Sequence, residues 1–125
     1  MPKMLVPLAE GFEEIEAITL LADLDAGATG TMTSGMIVDQ IKPVIDLYHA
    51  GDIDGATAAY GRVAMVINHE NRQCGWRSCK AAMVDGGVIK SEFCRHPIEP
   101  LQPDIRTRLL SLLRPLDPIV LKWGK

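Results

Sequence analysis

The stretch Leu24-Asp25-Ala26-Gly27-Ala28-Thr29-Gly30-Thr31-Met32-Thr33-Ser34 divides the chain into two kinds of sequence. Before it the apolar pattern is that of one strand and one helix; after it every regular apolar pattern is helical. Gly27 stands where a left-handed helix stop is wanted, and glycine takes that conformation without a Cβ penalty. Residues 28–34 then read as a short strand opening into a loop. Upstream, Lys3-Met4-Leu5-Val6-Pro7-Leu8-Ala9 suits a buried strand, with Pro7 at an edge or near the strand end because it has no N–H to donate. Phe12, Ile15, Ile18, Leu21 and Leu24 recur every three residues, while Glu13, Glu14, Glu16, Thr19 and Asp23 fill the other side. That is an amphipathic helix with an acidic first turn suited to its dipole. Strand, helix and strand in about 30 residues make one βαβ unit, normally parallel and right-handed. The expected fold class is therefore α/β and helix-rich. A β-α-β unit with two short parallel strands occupies residues 1–35, and four to five helices follow over residues 36–125, all in a single domain.

The later helices are marked by their own punctuation. Ile37, Ile41, Val44, Ile45 and Tyr48 define one that His49-Ala50-Gly51 ends, and Pro43 inside the pattern predicts either a start near Lys42 or a kink. Asp52 is the expected N-cap of the next, whose stripe Ile53, Ala56, Tyr60, Val63 and Ile67 is the most regular in the chain. Asn68-His69-Glu70-Asn71 is expected to break it. Trp76, Cys79 and Met83 carry a shorter helix that Gly86-Gly87 ends. Residues 88–100 are irregular. Pro103 opens a last helix with Ile105, Leu109, Leu112 and Leu113 on its face, Pro115 stops it, and the apolar tail Pro118–Trp123 must pack against something.

Composition narrows the partners. A net charge of −3 gives no electrostatic reason to expect nucleic acid or an anionic membrane surface. No apolar run approaches the roughly 20 residues that cross a bilayer. Glutamates at positions 10, 13, 14 and 16 do not suit a signal peptide. An odd number of cysteines, 3, without an export signal fits reduced thiols in the cytoplasm.

Two stretches resemble known families. From about residue 21 to 125 the chain resembles the C-terminal part of the dihydrodipicolinate synthase/N-acetylneuraminate lyase family. The residues that carry it are Leu24 to Met32, Leu47-Tyr48-His49-Ala50-Gly51-Asp52-Ile53-Asp54-Gly55-Ala56, Cys79-Lys80-Ala81-Ala82-Met83, and Asp117-Pro118-Ile119-Val120-Leu121-Lys122-Trp123-Gly124. The resemblance implies the end of an eight-stranded β/α barrel followed by a helical extension, with residues 27–33 as the eighth strand. It also implies a keto acid, commonly pyruvate, held as a Schiff base on a lysine. Met4 to Ala17, in turn, is similar to the opening of the ThiJ/PfpI superfamily, in which the glutamate matching Glu16 touches a reactive cysteine. Either a junction near residues 18–22, or a variant of the barrel family's own seventh strand and helix, would account for this stretch.

Neither chemistry is complete in these residues. A Schiff-base aldolase needs an amine whose pKa is lowered by burial on a rigid strand. Lysines 3, 42, 80, 90, 122 and 125 all fall outside apolar strand runs, and the family's lysine-bearing segment has no counterpart here. No residue is assigned a catalytic role. Gly30, Thr31 and Met32 match a region that lines the family's site and are the expected substrate-binding residues. A cysteine hydrolase needs its nucleophile on a strand-to-helix elbow, which Cys74, Cys79 and Cys94 lack. His69, Cys74, Cys79, Cys94 and His96 are zinc-binding residue types without a C-x-x-C spacing, so no metal site and no cofactor are expected. The reading that follows is a partial lyase-family member, inactive alone, with a keto acid as possible ligand. It is expected to form homo-oligomers, because a lone βαβ unit leaves sheet edges unpaired. The alternatives are a ThiJ-like cysteine enzyme and a non-enzymatic interaction module built on helices 53–67 and 103–114.

Overall fold

A computed structural model describes residues 20–95 and 97–125 of the chain. Residues 20–25 are helical, and four further α-helices follow: α1 (Val38–His49), α2 (Ile53–His69), α3 (Arg77–Asp85) and α4 (Pro103–Leu113). α2 runs directly into a π-helical turn, Glu70–Cys74, and short 3-10 turns at Arg114–Leu116 and Ile119–Leu121 complete the chain.

The helix ends follow local chemistry. Gly27 adopts φ +95°, and a pair of backbone bonds (Gly27 N–H to Leu24 O, 3.0 Å; Ala28 N–H to Asp23 O, 2.8 Å) closes the preceding helix in a Schellman arrangement. Asp52 caps α2, its carboxylate accepting from the Gly55 N–H at 2.9 Å. Pro103 opens α4 at a first-turn position, where its missing N–H costs nothing. Pro43 lies inside α1, which starts at Val38 and continues past it to His49.

The core is built where the stripes meet. α1 and α2 form the principal helix pair, joined by the turn at residues 50–52, with Ile41 and Val44 facing Ala56, Tyr60, Val63 and Val66 in one buried cluster. Met36 and Ile37, both fully buried, anchor the entry to α1. Leu109, Leu110 and Leu113 of α4 close the cluster against α2 and α3. His69 Nε2 donates to the Ile105 carbonyl at 3.1 Å and ties the end of α2 to α4. The apolar tail does pack, with Pro118, Val120 and Leu121 buried.

The expected α/β class is overturned for the described residues, which carry helices and no strand. Residues 28–34 are irregular, with Thr29, Gly30, Thr31 and Met32 all exposed. The physical reason is that a strand is defined by its neighbour. Threonine-rich sequence suits a half-buried pleated surface, but with no adjacent strand among the described residues its N–H and C=O groups are better left to water. The other strand of the expected unit, residues 4–9, and the start of its helix lie outside the described residues. A second correction concerns residues 68–71. Asn68-His69-Glu70-Asn71 does not break α2, because their backbone bonds continue through His69 into the π turn.

The tail is seated by close backbone contact. The Gly124 N–H donates to the Gly86 carbonyl at 3.0 Å, and Asp39 Oδ2 accepts from the Ile119 N–H at 3.1 Å. A Cβ added at Gly86 would lie 1.8 Å from the Val120 carbonyl oxygen, and one at Gly124 would lie 2.2 Å from the backbone of Gly87. Gly86-Gly87 therefore does more than end α3. Gly61, on the exposed side of α2, has nothing within 4 Å of such a Cβ. Gly86→Ala is expected to destabilise the fold by about 2 kcal/mol or more through overpacking against backbone. Gly61→Ala is expected to stabilise it by up to about 1 kcal/mol through helix propensity. Denaturant unfolding of the two variants beside the parent checks both signs.

Candidate functional site

Where the helical turn 20–25, residues 31–34 and the far end of α2 converge, they enclose a cavity of about 470 Å³. Its apolar wall comes from Leu20, Ile41, Tyr60 and Ile67, and its polar wall from Asp23, Thr31, Thr33, Ser34, Glu70 and Asn71, with Met32 at the rim. Each wall has a local cause. Buried Leu20 and Leu24 fix the helical turn against the core, and the Tyr48 hydroxyl donates to Asp25 to hold it beside α1. The Gly27 stop then sends residues 28–34 across the end of the helix pair. Ile67 near the end of α2, and Glu70 and Asn71 at the start of the π turn that continues it, all line the cavity.

Ser78 is fully buried with Oγ 2.7 Å from both Glu70 Oε1 and the Gly75 carbonyl oxygen, so its one proton is shared between two acceptors. That contact fixes one oxygen of Glu70. The same carboxylate acts on the thiols. Burial first, and then the Glu70 charge, push the Cys74 thiol up to about 11, with Arg77 partly opposing. Cys79 is raised by the same two causes, against a backbone N–H of Gly35 and the Ser34 side chain. Thiols held protonated are the opposite of what a cysteine nucleophile needs. Tyr60 is raised by burial, and Tyr48 by its hydrogen bond to Asp25.

The expected substrate-binding residues are divided by the structure. Thr31 and Met32 border the cavity, whereas Gly30 is exposed and not part of its lining. Met32 is 99% exposed. The lysines stand apart from this site. Lys42 pairs with Asp46 and Lys122 with Asp117, both on the surface, and Lys80 donates to the Phe93 carbonyl. Lys90 and Lys125 are exposed, and Lys3 lies outside the described residues. Among the described residues no group of three His, Cys, Asp or Glu side chains is placed to hold a metal ion. Cys74 ends the π turn, Cys79 lies on α3 and Cys94 in the loop beyond it, while His96 and Glu16 lie outside the described residues. No described helix is long and apolar enough to cross a membrane.

Sequence reasoning missed Asp23, Glu70 and Asn71. The last two were hidden because four polar residues in a row read as a helix end, whereas the helical backbone continues there as the π turn.

Comparison with known proteins agrees with the first resemblance. The sequence model of the Dihydrodipicolinate synthetase family matches residues 10–116. The chain is 54% identical over 109 residues to the L-2-keto-3-deoxyarabonate dehydratase of Azospirillum brasilense, covering 87% of this chain and 35% of that protein. The chain thus spans about a third of the length of this curated relative. The family match begins at residue 10 and so takes in part of the stretch read as ThiJ-like.

The Cys74 assignment has a consequence with a definite sign. A thiol raised from 9.0 to about 11 by folding contributes stability that is fully present below pH 9 and lost as pH rises through 11. Cys74→Ala is expected to flatten that part of the stability–pH profile relative to the parent, measured by denaturation between pH 8 and about 11. In the folded parent at pH 8, alkylation followed by mass spectrometry should leave Cys74 unmodified.

Proposed function

The chain belongs to the dihydrodipicolinate synthetase family as a partial member, and we propose that it carries a substrate-facing wall and the helical extension of a Schiff-base lyase acting on a 2-keto acid. The name of the relative narrows the substrate class to a 2-keto-3-deoxy sugar acid, whose head is a ketone and carboxylate and whose tail carries hydroxyls. In this reading the residues from Thr31 to Ser34 border the ligand, and α1 to α4 hold that border in place. The chain alone does not carry out the covalent step.

The observation that supports this is a separation. A ligand-sized cavity is walled by Thr31, Thr33 and Ser34, while no described lysine is among its lining. An amine that forms a Schiff base at neutral pH needs desolvation to lower its pKa, and Lys42 and Lys122, surface amines paired with carboxylates, have the opposite environment. Incubation with pyruvate and sodium borohydride, followed by intact-mass measurement, should return the unmodified mass. A pyruvyl adduct on any lysine would overturn the reading.

Self-association is the second part of the proposal, and its support has changed. Unpaired strand edges no longer argue for it, because residues 28–34 form no strand. The support is now the exposure of large apolar side chains: Met32 at 99%, Phe93 at 75% and Trp123 at 71%. Sedimentation velocity should show a weight-average mass that rises with concentration. A single monomeric boundary throughout would count against it.

A further inference from the structure

We propose that residues 90–95 and 97–100 act as a strap, held closed around a second cavity by the basic side chains Arg77, Lys80 and Arg106, and that it lifts as a unit while the helices stay folded. The inference is independent of the Schiff-base reading.

Charge ties the strap down. Lys80 of α3 donates to the Phe93 carbonyl. Arg77, one turn earlier on α3, donates through Nη1 to the carbonyls of Glu99 at 2.6 Å and Pro100 at 3.5 Å. Arg106 of α4 pairs through Nε with Glu92 Oε1 at 2.8 Å. Among the described residues, no other hydrogen bond or ion pair joins residues 90–100 to the rest of the molecule. Two further bonds, from the Phe93 N–H to Ser91 Oγ and from the Cys94 thiol to the Glu92 carbonyl, stay inside the strap.

Core packing adds little. None of the described residues from Gly87 to Pro100 is buried, whereas Gly86 before them and Leu101 after them are. The stretch is therefore pinned at both ends and held between them by three basic side chains. The cavity depends on that hold. It measures about 600 Å³, is lined by Phe93, Cys94, Ile98, Pro100 and Leu101 among others, and takes only Arg77 from a helix among its described lining. Lifting the strap from α3 dismantles the cavity without exposing the leucines of α4 or the α1–α2 seam. Such an opening costs far less than global unfolding, because each tie is worth a fraction of a buried side chain. Arg106 and Glu92 are each about a third exposed, at 32% and 30%, so dissolved ions reach the pair and screen it.

Limited trypsin digestion of the intact chain, read by mass spectrometry, tests this. A synthetic peptide of residues 86–101, cut in the same buffers, removes trypsin's own response to salt. Cuts after Lys90 and Arg95 should come before cuts within α1 to α4. Relative to the peptide, their rate should rise about threefold or more between low salt and about 0.5 M sodium chloride. Lys80→Gln and Arg106→Gln should each raise the low-salt rate by a similar factor. Arg106→Gln, which removes the ion pair, should also flatten the salt dependence, a change that a merely local loosening would not produce. Arg114→Gln, whose partner Asp85 lies outside the strap, should alter neither quantity. Far-UV circular dichroism should be that of the parent in all three variants. A strap rate indifferent to salt and to both substitutions, or helix cuts that keep pace with the strap cuts, would overturn the proposal. If a variant does not fold, the salt response of the parent decides.

Discussion

The packing of α1 against α2 is the constraint on which the rest of the structure depends. The two helices are joined by a turn so short that they must lie side by side. Their stripes, with Ile41 and Val44 on one and Ala56, Tyr60, Val63 and Val66 on the other, exclude water along the whole contact. Each buried side chain of this kind contributes on the order of 1.5 to 3 kcal/mol, far more than the surface ion pairs Lys42–Asp46 or Lys122–Asp117. α4 then adds its leucines to a surface that already exists. The cavity lies at the end of this pair nearest residues 31–34, so its shape is set by helix packing rather than by the loop that roofs it.

What was legible in the sequence was what local chemistry decides. Gly27 stops a helix, Asp52 caps one and Pro103 opens one, because each outcome is fixed by the residue's own backbone freedom or hydrogen-bonding groups. The α2 stripe was legible for the same reason. Residues 28–34 were misread as a strand, because a strand depends on a partner that the segment's own residues cannot supply. Residues 68–71 were misread in the other direction. Polar side chains suggested an end, yet side-chain polarity does not decide whether the backbone goes on bonding to itself.

The site was half legible. The family resemblance led to Gly30, Thr31 and Met32, of which Thr31 and Met32 border the cavity and Gly30 is outside its lining. Glu70 and Asn71 belong to the opposite wall, 39 and 40 positions along from Thr31 in the chain, and only the folded arrangement puts the two walls face to face. Two of the three cysteines show the same limit. Their residue type suggests reactivity, and their surroundings, burial beside a carboxylate for Cys74 and Cys79, remove it.

The seating of the tail also bears on the order in which the molecule assembles. α1 and α2 meet across a turn of three residues, a loop that closes quickly. The bond from the Ile119 N–H to Asp39 joins residues 80 positions apart, and closing a loop of that length carries a larger entropic cost before any contact rewards it. The helix pair is the natural early structure, and the meeting of Gly124 with Gly86 a late one. A chain halted just before that step would have its helices, its α1–α2 core and an open apolar seam where Val120 and Leu121 belong.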